Sequence, residues 1–397
     1  MPIKFVVAAI LCGLAYLLAA TEFAKGARKG LSILWLGAIA LRFIALPLTP
    51  ASDVWRYQAD GALQRAGLNP YRTSPAEAEA VANLPDTAQV PRTTEATAYS
   101  PGAEFLFRAI PQTHFAFLCK LLFGMADLLT VVLLLRLVDA RTAAWFAWNP
   151  LVAYSFFGAG HFDSVVLLCI AALLTCVTRR NQTTNIRGRW GYALGAAVAL
   201  GIAISFRPVM LVLLLPTVFA LGFQAIGLAL AIAIPAAAGA AVGVRSISDW
   251  NFFGDFPQIS RLNDLFWWII EDTTWPNWHQ QHYRYDVVIA VVCGIASLFF
   301  MRNWQRGFLW SLGLAIFLAP VLHAWYLTWI LPIATWRRAF GWHFLSVTIF
   351  AYYLFFSERL FALPWRAEPW MRGMIILPVL FAAAMLIRQR YFQRETT

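Results

Sequence analysis

Asp53 and Asp60 bracket the run Asp53-Val54-Trp55-Arg56-Tyr57-Gln58-Ala59-Asp60-Gly61. On a helix this spacing puts both carboxylates on nearly one face, about 10 Å apart along the axis. That is too far for one shared proton, so the two are read as having different roles. Asp53 is the candidate general base, taking the proton of a hydroxyl as an oxocarbenium-like sugar develops. Asp60 is then expected to support the site through sugar hydroxyls or an ion. The competing reading is a solvated ladder in which Arg56, three residues after Asp53 and four before Asp60, pairs with both.

Further polar points recur along the chain. Gly67-Leu68-Asn69-Pro70-Tyr71 reads as a turn that brings the chain back after the helix, and Tyr99-Ser100-Pro101-Gly102-Ala103-Glu104 reads as a Pro-containing helix start. Asn149-Pro150 precedes an apolar segment. Gly158-Ala159-Gly160-His161-Phe162-Asp163 then turns, with His161 and Asp163 as a substrate-binding pair and Asp163 as an alternative N-cap. His-x-Asp is a poor metal signature, because a structural site wants about four ligands. Arg207-Pro208 offers a bidentate grip on a phosphate, or else a snorkelling cation. In His323-Ala324-Trp325-Tyr326-Leu327-Thr328-Trp329, His323 suits a phosphate or hydroxyl, while Trp325 and Tyr326 equally suit an interfacial aromatic belt. Asp127, in the middle of an apolar run, is either functional or held by a buried partner.

The elements that must position these residues are membrane helices. Of 397 residues, 60% are hydrophobic and only 13% charged, which excludes an ordinary soluble domain. About twelve to thirteen apolar runs approach the length of a bilayer core. The clearest are 3–20, 31–48, 114–138, 143–157, 165–177, 192–206, 209–223, 227–244, 287–301, 308–322, 326–336, 342–356 and 371–387. The expected fold is all-α, a polytopic transmembrane helix bundle forming one unit over residues 1–397.

The net charge of +11 sits in short connections, so it reports topology and not nucleic acid. Lys25, Arg28 and Lys29, then Arg179, Arg180, Arg187 and Arg189, then Arg302 and Arg306, then Arg337 and Arg338, alternate correctly to share the cytoplasmic side. Residues 49–113 and 245–285 are long, acidic loops on the other side, the first a catalytic loop and the second interfacial, with an amphipathic helix expected near residues 259–270. Residues 3–20 resemble a signal peptide, but cleavage would oppose every later loop, so an uncleaved span is expected. Cys12, Cys119, Cys169, Cys176 and Cys293 lie within or beside apolar runs and read as small core residues. Asp53, Asp60, His161, Asp163, Arg207 and His323 all map to one membrane face.

In order along the chain, these motifs resemble the GT-C glycosyltransferases, and among them bacterial mannosyltransferase-like proteins. Asp53-Val54-Trp55-Arg56-Tyr57 with Asp60-Gly61, and Gly67-x-Asn69-Pro70-Tyr71, are similar to the family's first outer loop. Tyr99-Ser100-Pro101 is similar to its Tyr-Pro-Pro element. Asn149-Pro150-Leu151 with Gly160-His161-Phe162-Asp163, and His323-x-Trp325-Tyr326 with Trp329 and Pro332, continue the resemblance. It implies an extracytoplasmic reaction with inversion, a polyprenyl-phosphate sugar donor, a lipid or glycan acceptor, and an essential loop aspartate at Asp53. The candidate substrate-binding positions are Arg56, Tyr57, Asn69, Tyr71, His161, Asp163, His323, Trp325 and Tyr326, which lie in these motifs, and Arg207, which is read from its own chemistry. Trp55 and Ser100 depart from the pattern. With the first acidic pair incomplete, a divalent cation is possible but not required.

Two other classes compete. A transporter or flippase of lipid-linked sugars would suit Asp127, yet the repeated halves of many transporters are absent from the sequence. A ligase or polymerase of lipid-linked glycans would use Arg56, Arg72, Arg207 and Arg245 on diphosphate. The expected location is the cell inner membrane, in contact with membrane lipids.

Overall fold

The computed structural model describes residues 2–26, 30–79, 89–244, 264–267, 285–356, 370 and 372–380. The protein is a polytopic helical bundle, without a β-strand among the described residues. Among the described residues, four helical stretches are long and apolar enough to cross a membrane: Ile3–Lys25, Phe115–Leu134, Ile186–Phe206 and Pro208–Ala241. Tyr285–Phe299 and Met301–Phe317 make a fifth if taken together across an 80° bend, and Gly30–Ala45 is apolar but shorter.

The expected span 165–177 lies inside the unbroken helix Asp163–Gln182, several other expected spans are broken, and proline accounts for some of the breaks. Pro150, Pro208 and Pro332 each sit in the first turn of a new segment, where the missing N–H is harmless. The run 143–157 is therefore split between Ala140–Ala147 and Pro150–Ala153, the latter continuing as a π-turn over Tyr154–Gly158. The runs 209–223 and 227–244 instead join in one stretch of alternating 3-10 and α segments.

Asp163–Gln182 packs between Phe115–Leu134 and Ile186–Phe206, and Ala324–Ile330 and Leu331–Arg337 close on it from another side. Leu11, Leu18, Phe43, Ile226, Ile295 and Phe299 leave large apolar surface outward, as helices facing lipid tails do. Within the bundle, Arg42 forms a two-bond fork to Asp127 at 2.9 and 3.0 Å and also donates to the Ala147 carbonyl. Both side chains are sealed, so Asp127 ties Gly30–Ala45 to Phe115–Leu134.

The described residues of 49–113 are folded onto the bundle. Its helices Asp53–Arg65 and Pro101–Ala109 touch through Gly61, where an added Cβ would lie 2.5 Å from the Phe107 carbonyl oxygen. Gly102 in turn meets the Ser205 carbonyl, where a Cβ would come within 2.8 Å. These two approaches set the loop against the end of Ile186–Phe206.

Most of the second expected loop, 245–285, and most of its expected surface helix lie outside the described residues. Within 264–267, Trp267 is buried and donates to the Leu318 carbonyl at 2.6 Å, and Asp264 pairs with Arg372 at 3.0 Å. The positions Arg28 and Lys29, and residues 381–387 of the last expected span, also lie outside the description.

Candidate functional site

Asp53 is the first residue of helix Asp53–Arg65, where the helix dipole favours a negative charge. Its carboxylate accepts a 3.2 Å hydrogen bond from the Tyr99 hydroxyl and lies 3.8 Å from His161 Nδ1. About a third of its side-chain surface stays open, at 30%. The packed surround nonetheless raises its pKa by desolvation, against the Tyr99 hydrogen bond and the positive charges of Arg207 and Arg92; Asp163 adds to the rise. A partly open carboxylate made more basic than usual is suited to taking a proton.

Backbone geometry brings His161 here. The π-turn Tyr154–Gly158 is followed by Gly160 at φ +79°, a left-handed conformation that favours glycine, and the His161 amide donates to the Ser155 carbonyl at 3.0 Å. The Ala51 amide donates to Ala159 O at 2.9 Å, locking the approach to Asp53 onto the same turn. His161 stacks on Trp325 with centroids 3.8 Å apart, and Trp325 stacks on His323 at 4.5 Å. His323 Nδ1 is 2.7 Å from the Tyr352 hydroxyl. Burial first, then neighbouring positive charge, lowers both imidazole pKa values to about 3, so these histidines are neutral. The Trp325 ring N–H is buried without a partner.

The third cluster departs from its sequence reading. Asp163 does not cap its helix; its oxygens accept from Arg207 at 2.8 and 3.0 Å and from Trp329 Nε1 at 2.9 Å. Arg207 Nη1 also lies 3.4 Å from the Tyr326 hydroxyl, and its guanidinium packs over Phe162 and Tyr326 at 4.5 and 4.8 Å from the ring centroids. Its bidentate face is thus taken up by Asp163. Trp325 and Tyr326 do not form an outer belt: Trp325 is buried in the histidine stack and Tyr326 packs on Trp329 at 4.4 Å.

Asp60 and Arg56 also differ from the ladder. Arg56 binds both Asp60 oxygens at 2.9 and 3.0 Å and reaches the carbonyls of Arg92 and Glu95 at 2.7 and 2.9 Å. Asp60 is fully buried, in contrast to the partly exposed Asp53. Tyr57 stacks on Phe107 at 4.3 Å, with its hydroxyl 3.5 Å from His161 Nδ1. Asn69 donates to the Gly243 carbonyl at 3.0 Å and accepts from the Tyr71 amide at 2.9 Å, and the Tyr71 hydroxyl donates to Tyr99 O at 2.9 Å. Asn69 and Tyr71 therefore tie the loop together. Among the described residues no group of three or more His, Cys, Asp or Glu side chains is placed to share an ion.

Residues absent from the expected site include Arg92, Lys120 and Tyr352. Arg92 has a left-handed φ of 53° and its charge reaches both Asp53 and His323. Lys120 donates to the Leu46 carbonyl at 3.0 Å and to that of Leu48, holding the chain that leads into Asp53. Unlike the acidic run at 53–60, these isolated residues carry no spacing signal.

A family model described as Alpha-(1->6)-mannopyranosyltransferase, N-terminal domain, matches residues 3–224, which is more than half of the 397 residues. The chain belongs to this family. It is a membrane mannosyltransferase, and so a glycosyltransferase, as the sequence motifs had indicated. No curated protein and no solved structure matches the chain. The matched part of the mannosyltransferase holds Asp53, Tyr99, His161, Asp163 and Arg207, whereas His323, Trp325, Tyr326 and Tyr352 come from beyond it and reach the same place by folding.

Proposed function

We propose that the protein transfers mannose from a polyprenyl-phosphate donor to a hydroxyl of a lipid or glycan acceptor, on the extracytoplasmic face of the inner membrane. One transmembrane unit over residues 1–397 carries the reaction, with 49–113 as its catalytic loop. The observation that carries this reading is Asp53: a carboxylate at a loop-helix start, partly open, oriented by Tyr99 and adjoining neutral His161.

In the proposed step the acceptor oxygen forms its bond to the anomeric carbon while the bond from that carbon to the phosphate oxygen breaks, with inversion. Asp53 receives the hydroxyl proton and the polyprenyl phosphate departs with the bonding pair. His323 and the unpartnered Trp325 N–H supply neutral donors toward phosphate or sugar oxygens. Arg207 and Asp163 hold the aromatic wall, and Asp60 and Arg56 hold the loop behind Asp53. Asn69 and Tyr71 brace the catalytic loop, and Tyr57 and Tyr326 pack the aromatic surround of the site. The pairing of Asp127 with Arg42 removes the feature that favoured transport.

The test is transfer from radiolabelled polyprenyl-phosphate mannose by purified protein in lipid. Wild type is expected to transfer, and Asp53→Asn to bind donor yet transfer about 10²–10⁴-fold more slowly. Movement of labelled lipid across the bilayer with no transfer to any membrane extract would replace this reading with a flippase.

A further inference from the structure

Beside the helix that Asp53 starts lies a cluster of buried, hydrogen-bonded polar side chains, and one of them, Glu104, has no part in the proposed chemistry. Glu104, on helix Pro101–Ala109, is fully buried. Its Oε1 accepts from the Thr97 hydroxyl at 2.7 Å and its Oε2 from Gln64 Nε2 at 2.7 Å. Asp60, paired to Arg56, is the neighbouring carboxylate, and Tyr71 lies within reach of both carboxyl groups. The Thr97 oxygen in turn accepts from the Tyr99 amide at 3.1 Å, while the Tyr99 carbonyl is held by Tyr71 and its hydroxyl reaches Asp53. A continuous line of hydrogen bonds thus runs from Glu104 through Thr97 and Tyr99 to the carboxylate at the opening.

We propose that Glu104 is a positioning residue, which fixes the segment from Thr97 to Tyr99 and thereby aims the Tyr99 hydroxyl at Asp53. The role rests on Asp53 being the base. The surroundings of Glu104 favour its protonated form: burial first, then the negative charge of Asp60, raises its pKa well above the ordinary carboxylate range, and the Thr97 hydrogen bond and Arg56 oppose this only in part. Two carboxyls beside a single guanidinium are thereby satisfied with one proton between them. An amide at position 104 preserves the acceptor for Thr97 without a charge and gives up only the Oε2 acceptor of Gln64, and this separates a neutral positioning group for Thr97 from an ionised one.

The experiment compares Glu104→Gln, Glu104→Ala, Thr97→Val, Thr97→Ser and Tyr99→Phe in the full-length protein in lipid, using labelled polyprenyl-phosphate mannose. Glu104→Gln and Thr97→Ser are expected within about threefold of wild type. Glu104→Ala, Thr97→Val and Tyr99→Phe are expected to lose about tenfold in kcat, roughly one hydrogen bond, with donor KM unchanged.

The three damaging variants should also move the acidic limb of the pH profile upward together, because each removes the Tyr99 bond that favours ionised Asp53. The other groups facing Asp53 (Arg92, His161, Asp163, Arg207, and the Tyr57, Tyr326 and Tyr352 hydroxyls) are unchanged in them. Hydrogen exchange at the Thr97 and Glu104 amides, which donate to Pro70 and Ser100, should rise in Glu104→Ala and Thr97→Val but not in Glu104→Gln.

Equal damage from Glu104→Gln and Glu104→Ala, or an unmoved pH limb in Thr97→Val, overturns the role while leaving the Asp53 reading intact. Absence of transfer by wild type overturns the Asp53 reading instead, and hydrogen exchange then still decides whether Glu104 holds the segment.

Discussion

Arg207 and Asp163 face each other through two parallel hydrogen bonds of 2.8 and 3.0 Å, with side-chain exposures of 6% and 0%. The pair joins the end of Ile186–Phe206 to the start of Asp163–Gln182, and Trp329 adds a third bond from the downstream half of the chain. It is consequently a junction of three segments.

Arg207→Lys keeps the charge but loses the planar fork and the ring packing. Removing one partner of such a buried pair costs about 3–5 kcal/mol; with the charge kept the loss is smaller, yet the variant is expected to unfold at lower temperature and to lose activity. Trp329→Phe removes one hydrogen bond and should cost about 1–2 kcal/mol. Thermal unfolding in detergent, read beside transfer rate, checks both; an unchanged midpoint for Arg207→Lys would show that the pair is not structural.

Arg42 and Asp127 form the corresponding clamp deeper in the bundle. Asp127→Asn and Arg42→Met should each destabilise by about 3–5 kcal/mol, whereas the double apolar replacement Arg42→Met with Asp127→Leu should recover much of the loss, because no unpaired charge remains. The unfolding midpoints of the three variants form the comparison. A double variant no better than the singles would contradict this account.

Gly61 limits how closely the loop helix packs on Phe107. In Gly61→Ala the new methyl would sit 2.5 Å from a carbonyl oxygen, so helix Asp53–Arg65 must shift. An overpacking cost of about 1–3 kcal/mol is expected. Since Asp53 starts that helix, kcat should fall more than the affinity for donor, as steady-state kinetics would reveal.

The pH profile carries its own signature. Asp53 must be ionised to accept a proton, and its pKa is raised, so activity should rise with pH through a limb above the ordinary carboxylate range. His161 and His323 stay neutral down to about 3 and add no limb near 6.5. A histidine-like limb that disappears in His161→Gln would show that the imidazole titrates in the working range.

For stability the sign is the reverse. The raised pKa of Glu104 contributes stability that is present below its unfolded value and is lost as pH rises through the folded one. Glu104→Gln should flatten this slope, as unfolding midpoints across pH would show.

The membrane class and the helical fold were legible in the sequence because lipid leaves the backbone few options: apolar runs must satisfy their own hydrogen bonds, and helices do so locally. The mannosyltransferase family was legible in short ordered motifs, since residues such as Asp53, Asn69-Pro70 and His161-Phe162-Asp163 are close neighbours in the chain. Tertiary structure decided which polar groups meet. Arg56 binds Asp60 and carbonyls from residues 92 and 95, leaving Asp53 to Tyr99 and His161. Asp127 finds Arg42 across 85 positions, and Asp163 finds Trp329 across 166. Residue type and local spacing specify that a buried charge needs a partner, but choosing that partner among distant candidates depends on how the helices pack.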